Sequence, residues 1–246
     1  MGNHYHLVAK FDDPREMTAA ELRKRALIMY PKNAKVIAKW DELQLAKFQK
    51  RIFNVSEFMR NLQGAYARWY NRRHVRKGRF WAQRYKSTLL TSHRAARECV
   101  LYVELNAVRA GLVKRPDDYR TGSAFLRSTK NDGWLLPLSA LFEGRNVLAN
   151  YRSILYLRGE IPTKRGQAKI SRKVIEREEA RGFAVSGIYS KRLRYWTDGL
   201  AVGADDTITN ILTHLRKKEF FLRRKNPRPI ENSPLTALRE QRSHGD

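Results

Sequence analysis

Two short stretches of the chain carry side chains that could share one catalytic site. His4 and His6 are two residues apart, so on a β-strand both imidazole rings would point the same way. Tyr102 and Asn106 are four residues apart, so on a helix they would share one face. Together they offer two imidazoles, an amide oxygen and a phenol. That set suits a divalent metal ion beside a tyrosine nucleophile.

Each half of this hypothetical site also has an ordinary interpretation. Histidine pairs of this spacing are common at exposed or structural positions, and a tyrosine on a helix usually serves packing. Imidazole nitrogens and an amide oxygen are nevertheless reasonable ligands for Mg²⁺ or Mn²⁺, and three such ligands would leave room for phosphate oxygens. Asn106 favours the catalytic interpretation, because one rigid helix would hold both the nucleophile and a metal ligand.

The elements that must position these residues follow from hydrophobic periodicity. Alternation predicts a strand over residues 3–11, and residues 80–90 are predicted to be largely extended. Apolar residues at three- and four-residue spacing predict helices over residues 18–30, 34–51, 55–72, 92–110, 137–160 and 206–218. Ser92 is the expected N-cap of the helix that carries Tyr102, and Gly111 is its expected end.

The composition indicates a polyanionic partner. The 246 residues contain 50 Lys and Arg against 24 Asp and Glu, a formal charge of +26. Such a positive field attracts nucleic acid. A membrane surface is the alternative, but no apolar run approaches bilayer length and no lipidation signal supports it. The single cysteine, Cys99, excludes an internal disulfide and predicts a cytoplasmic protein.

Aromatic and basic residues interleave between Asn71 and Leu90. A surface that follows phosphates and also stacks on bases needs both types of side chain. A buried strand with cations on its outer face would give the same pattern, so both interpretations stay open. We select Arg79, Arg84, Lys86 and Arg109 as candidate phosphate contacts.

Blocks of sequence, taken in order, resemble the single-tyrosine HUH transposases, and especially their REP-associated tyrosine transposase branch. The blocks are Met1–Leu7, Phe58–Arg60 with Tyr66, Asn71–His74, Gly78–Trp81 with Arg84–Ser87, and Tyr102–Leu112. The resemblance covers roughly residues 1–125. It departs from the family's usual proline at Gly2 and at Ala107.

This resemblance implies an α+β fold, with an antiparallel sheet flanked by helices and related to the ferredoxin-like fold. It implies a divalent metal, Mg²⁺ or Mn²⁺, held by His4, His6 and Asn106, with Tyr102 as the nucleophile. The implied activity is cleavage and transfer of single-stranded or hairpin DNA through a 5′-phosphotyrosine intermediate. A bacterial, DNA-associated location and a possible homodimer complete the expectation.

The resemblance also predicts the domain organisation. Residues 1–125 would form the catalytic domain, and residues 126–246 a basic, mainly helical extension. The charge of this extension, rather than the resemblance, suggests a module that follows DNA or recognises hairpins. Relatives carry a strand–helix–strand unit before the HUH strand, so we expect a shortened chain or a start assigned at an internal Met. The shortening suggests an alternative function, a catalytically impaired DNA-binding remnant or regulator derived from such a transposase. A basic RNA-associated structural protein is a third hypothesis.

Overall fold

The computed structural model of the chain describes residues 4–12, 14–162, 166–180, 199–217, 226–230 and 233–239. The chain packs as two compact units. The smaller unit is Ala9–Tyr85, and the larger unit combines Met1–Val8 with Lys86–Asp246. Parts of the predicted C-terminal extension, residues 181–198 and 218–225, lie outside the described residues.

The smaller unit is helical. Its helices are α1 (Ala19–Met29), α2 (Ala34–Ala38), α3 (Glu42–Ile52) and α4 (Val55–Arg73), with a 3₁₀ turn at Pro31–Asn33. Apolar side chains of α1, α2 and α3 form its core, namely Leu22, Ala26, Ile37, Leu45 and Phe48.

Local capping explains where these helices begin. Thr18 and Glu21 form a capping box at the start of α1. The single helix predicted over residues 34–51 is two helices instead. Asp41 accepts a hydrogen bond from the Gln44 amide at 2.8 Å, and the Gln44 side chain accepts one from the Asp41 amide at 3.0 Å. This second capping box starts a new helix in the middle of the predicted one.

The larger unit contains the sheet and the remaining helices. Along the chain these are β1 (Leu89–Leu90), α5 (His93–Arg109), α6 (Ser123–Ser128), α7 (Val147–Glu160), α8 (Arg172–Glu179), β2 (Gly199–Gly203), α9 (Asp205–Lys217), β3 (Arg228–Pro229) and β4 (Thr236–Arg239). A 3₁₀ turn at Pro116–Asp118 lies between α5 and α6, and a second 3₁₀ turn at Leu138–Ala140 precedes α7.

The four strands pair in the order β1-β2-β4-β3. β1 runs parallel to β2, whereas β2 and β3 each run antiparallel to β4. Side chains alternate between the two faces of this sheet. Val202 and Ala237 pack with Ala95 and Cys99 of α5, while Ala201 and Leu238 pack with apolar residues of α9. The sheet therefore lies between α5 and α9.

Helix α5 is buried on a second side as well. Leu101, Leu105 and Val108 share a core with Tyr151 and Leu155 of α7. This core joins α5 to residues of the predicted extension. The predicted boundary between residues 125 and 126 therefore falls inside the larger unit.

The α+β class is confirmed, but the sheet differs from the expectation. It is mixed rather than antiparallel, and three of its strands come from residues 199–239 rather than from residues 1–125. The strand predicted over residues 3–11 is wrong for its described part, residues 4–11, because no described strand runs beside it to complete the hydrogen bonds. Within residues 80–90, only Leu89–Leu90 forms a strand. No helix among the described residues has the length and apolarity needed to cross a membrane.

Candidate active site

Helix α5 fixes the position of the predicted nucleophile. The Ser92 hydroxyl accepts a hydrogen bond from the Ala95 amide at 3.1 Å, which caps the first turn as predicted. The helix ends at Arg109, and Gly111 follows at a φ of +73°, a conformation that glycine adopts without strain. Since α5 is packed on both the sheet and α7, the residues Tyr102 and Asn106 are held on a rigid element.

The N-terminal histidines reach this helix without forming a strand. The imidazole of His6 meets the Tyr102 ring edge to face, with ring centroids 6.1 Å apart. The His4 ring lies 5.3 Å from that of His6. Val8 packs against the buried cluster that contains Ala95, Cys99 and Val202, and this contact ties the segment to the larger unit. The structure thus brings together residues from the two predicted halves of the site.

His6 is half-buried, and its environment favours the neutral imidazole. Burial is the main cause that lowers the pKa of His6 below its usual value, and the neighbouring His4 lowers it further. A metal ligand must be unprotonated, so this direction of change suits the predicted role.

Asn106 carries a polar atom that no protein group satisfies. Its Nδ2 atom is buried and has no hydrogen-bond partner. The two ends of an asparagine amide are nearly identical in shape, so a half-turn of the amide would place the oxygen there instead. This unpaired amide belongs to a residue on the same helix face as Tyr102, which fits the predicted role of Asn106 as a metal ligand. Among the described residues, no group of three or more His, Cys, Asp or Glu side chains is arranged to hold a metal ion.

Arg109 lies over the Tyr102 ring, which sequence analysis did not anticipate. Its guanidinium carbon is 5.5 Å from the ring centroid, and its Nε and Nη1 atoms are buried without hydrogen-bond partners. Burial lowers the pKa of Arg109 to about 10, so the side chain is still cationic at neutral pH. The seven-residue spacing from Tyr102, two helical turns, is a signal that could have revealed this contact.

Glu98, one turn before Tyr102, has a structural partner. It is buried and forms an ion pair with Arg158 of α7, and Arg97 lies 3.9 Å away. No local pattern connects Glu98 with Arg158, because the two residues are far apart in the sequence. This pair links α5 to α7 beside the site.

The other predicted phosphate contacts are exposed side chains divided between the two units. Arg79 and Arg84 belong to the smaller unit, and Lys86 belongs to the larger one with Arg109. Arg84 is 3.4 Å from the Ser56 hydroxyl and stacks on Tyr85 at 5.5 Å. A cavity of about 600 Å³ in the smaller unit is lined by none of the predicted site residues. These four assignments stay predictions.

Comparison with known proteins adds no family assignment, since no family model, curated protein or solved structure matches the chain.

Proposed function

We propose that the chain is a metal-dependent tyrosine transposase that cleaves and rejoins single-stranded or hairpin DNA. The observation that carries the proposal is the meeting of His6 with Tyr102, whose ring centroids are 6.1 Å apart although the residues are distant in sequence. The orphaned amide of Asn106 on the same helix supports it. So does the net charge of +26, which favours a polyanionic substrate.

His4, His6 and Asn106 are the residues that would hold Mg²⁺ or Mn²⁺. When bound, such an ion supplies Lewis-acid polarisation of the scissile phosphate. Burial lowers the pKa of His6, which favours the neutral imidazole that can donate an electron pair to the ion. His4, being exposed, leaves this side of the site open to a strand of DNA.

Tyr102 performs the covalent step. Its phenolic oxygen attacks the phosphorus, forming a bond from the tyrosine to the 5′ side of the break. The bond from phosphorus to the 3′ oxygen breaks at the same centre. The proton lost by the phenol is balanced by the proton gained by the released 3′-hydroxyl, so no other reactant is consumed. A later attack by a 3′-hydroxyl reverses these changes and rejoins DNA.

Arg109 supplies positive charge beside the nucleophile. A cation over the Tyr102 ring stabilises the negative charge that develops on the phenolic oxygen. Its buried Nε and Nη1 hydrogens have no protein acceptor, so a phosphate oxygen could take that place.

A covalent-adduct assay tests this function. The purified chain is mixed with labelled single-stranded hairpin oligonucleotides and Mn²⁺ or Mg²⁺, and is then run on a denaturing gel. We expect a shifted band that needs the metal and disappears with Tyr102→Phe. Tyr5, which lies between the two histidines and is partly exposed, provides the matched control, so Tyr5→Phe should keep the band. A band that survives Tyr102→Phe would overturn the assignment.

One observation favours the second candidate, a catalytically impaired DNA-binding remnant or regulator. The segment carrying His4 and His6 belongs to no described strand, so the ligands are held less firmly than the nucleophile. This function predicts hairpin binding that is sensitive to salt, needs no metal and produces no adduct.

A further inference from the structure

Helix α4 of the smaller unit presents a large apolar and aromatic face. Met59 is the buried residue of this long helix, whereas Phe58, Leu62, Tyr66 and Trp69 are all substantially exposed. Their spacing places them along one stripe of the helix. A contiguous exposed patch of this kind usually marks a binding surface.

The C-terminal part of this stripe belongs to an aromatic cluster, which consists of Tyr66, Trp69, Tyr70, His74, Phe80 and Trp81. The Phe80 ring centroid lies 5.3 Å from that of Tyr66, 4.7 Å from that of Tyr70 and 4.7 Å from that of Trp81. Within this cluster, Trp69 is 53% exposed and Tyr66 is 43% exposed. Their ring centroids are 5.5 Å apart.

Hydrogen bonds hold the cluster in place before any ligand arrives. Trp81 donates its indole hydrogen to the Gln63 carbonyl at 3.0 Å. Asn71 donates to the Gly78 carbonyl at 3.0 Å, and Gly78 has a φ of +89° that permits the chain to turn back on α4. The exposed rings are therefore held in place before binding, so they lose little conformational entropy when a ligand binds.

The charges around the cluster have one sign. Residues 58–85 contain no Asp or Glu, and they contain the cations Arg60, Arg68, Arg72, Arg73, Arg76, Lys77, Arg79 and Arg84. Arg73 lies over the Trp69 ring at 6.0 Å, and Arg76 lies over the Tyr70 ring at 5.9 Å. Exposed aromatic faces among cations match a ligand that has both π-faces and phosphates.

We propose that the aromatic cluster is a binding surface for unpaired DNA, in which Trp69 and Tyr66 stack on bases and the arginines contact phosphates. A duplex would not suit it, because bases in a duplex are already stacked on one another. A second copy of the chain is disfavoured, since two such positive surfaces repel each other. The choice of DNA over RNA rests on the proposed function, whereas the surface does not depend on Tyr102.

Equilibrium binding to two labelled strands tests this proposal. Fluorescence anisotropy with the full chain compares oligothymidine with an abasic strand of equal length, which keeps the phosphates but lacks the bases. Stacking contributes about 1–3 kcal/mol per base, so Trp69→Ala should weaken oligothymidine binding about 5- to 150-fold. It should leave abasic-strand binding unchanged, and Trp69→Phe should retain most of the oligothymidine affinity.

Trp134 offers a matched control, because it is 73% exposed and belongs to the larger unit. Trp134→Ala should change neither affinity, and a thermal melt checks that each variant is folded. Equal losses on both strands, no loss with Trp69→Ala, or tighter binding of oligouridine would overturn the proposal. So would a Trp69→Ala protein that changes only its oligomeric state. Because anisotropy needs no covalent step, Tyr102→Phe should bind normally here even though it forms no adduct.

Discussion

At the scale of single residues, the predicted and unpredicted features of the site have different origins. Tyr102 and Asn106 lie four residues apart on a helix, so their shared face could be predicted from spacing alone. The contact of His6 with Tyr102 could not be derived from spacing, because it joins an irregular segment to a distant helix. Arg109 was selected for its charge, whereas its position over the Tyr102 ring emerged from the structure.

Replacing Arg109 should lower activity without lowering stability. Arg109→Met removes a buried cation whose Nε and Nη1 atoms have no partner, so the free energy of unfolding should stay the same or rise. The rate of adduct formation should fall about 100-fold, as expected when one charge-stabilising donor is lost. Urea unfolding and single-turnover gels measure the two effects.

Arg152 supplies the matched control for that prediction. It is a buried arginine that donates to Asp117 and Glu178, both at 2.7 Å. Arg152→Met would leave two buried carboxylates without this partner and should cost about 3–5 kcal/mol of stability. If Arg109→Met destabilised the chain as strongly as Arg152→Met, Arg109 would be a structural residue.

Glu104 should make the stability of the chain depend on pH. Its carboxylate accepts hydrogen bonds from Tyr151 at 2.5 Å and Ser123 at 2.8 Å, yet burial dominates and raises its pKa. The folded chain therefore retains a proton that the unfolded chain loses above its ordinary pKa near 4.5. Stability is greatest below that value and falls as the pH rises through the window up to the raised pKa, by about 1.4 kcal/mol per pH unit.

Glu104→Gln cannot lose this proton, so it isolates the effect. The stability of the wild-type chain relative to Glu104→Gln should fall as the pH rises above about 4.5, and urea unfolding at several pH values measures the difference. Parallel pH profiles for the two proteins would show that Glu104 keeps its ordinary pKa.

At the scale of elements, helices were predicted better than strands. The helices containing Tyr102 and Trp69 have strong periodicity and clear end signals, and they appear close to their predicted bounds. Strand β2 is a short glycine-bounded segment that pairs with β1, more than a hundred residues earlier. Such a pairing depends on tertiary structure and leaves no local pattern in the sequence.

Two helical glycines should respond to alanine in opposite ways. A methyl group at Gly159 of α7 would lie 2.2 Å from Ile170 Cδ1 and 3.1 Å from Leu105 Cδ2, so Gly159→Ala should cost about 1–3 kcal/mol. Adding Ile170→Val removes the closest methyl group and should restore part of this loss. Chemical denaturation measures each free energy of unfolding.

Gly64 of α4 is the control for helix propensity. A methyl group there would meet only the flexible end of Arg68, at 3.2 Å, so Gly64→Ala should stabilise the chain by about 0.4–1 kcal/mol. Stabilisation by both alanines would contradict the close packing of α7 against α5 and Ile170.

At the scale of the whole molecule, the charge of +26 dominates the expected interactions. Binding of single-stranded DNA should weaken steeply with salt, because each neutralised phosphate releases counterions. If Arg73 contacts a phosphate, Arg73→Gln should reduce the log–log salt slope by about 0.7. Anisotropy titrations at several salt concentrations measure the slope. A slope that is unchanged in the variant would remove Arg73 from the phosphate-binding surface.

Mass spectrometry identifies the residue that attacks the DNA. The chain is incubated with a hairpin oligonucleotide and Mn²⁺, the DNA is trimmed with nuclease, and tryptic peptides are sequenced. Trypsin releases residues 98–109 as one peptide, in which Tyr102 is the sole tyrosine. We expect a phosphonucleotide on Tyr102 of this peptide. A phosphonucleotide on any other tyrosine, or an unmodified chain under conditions where the hairpin is bound, would contradict it.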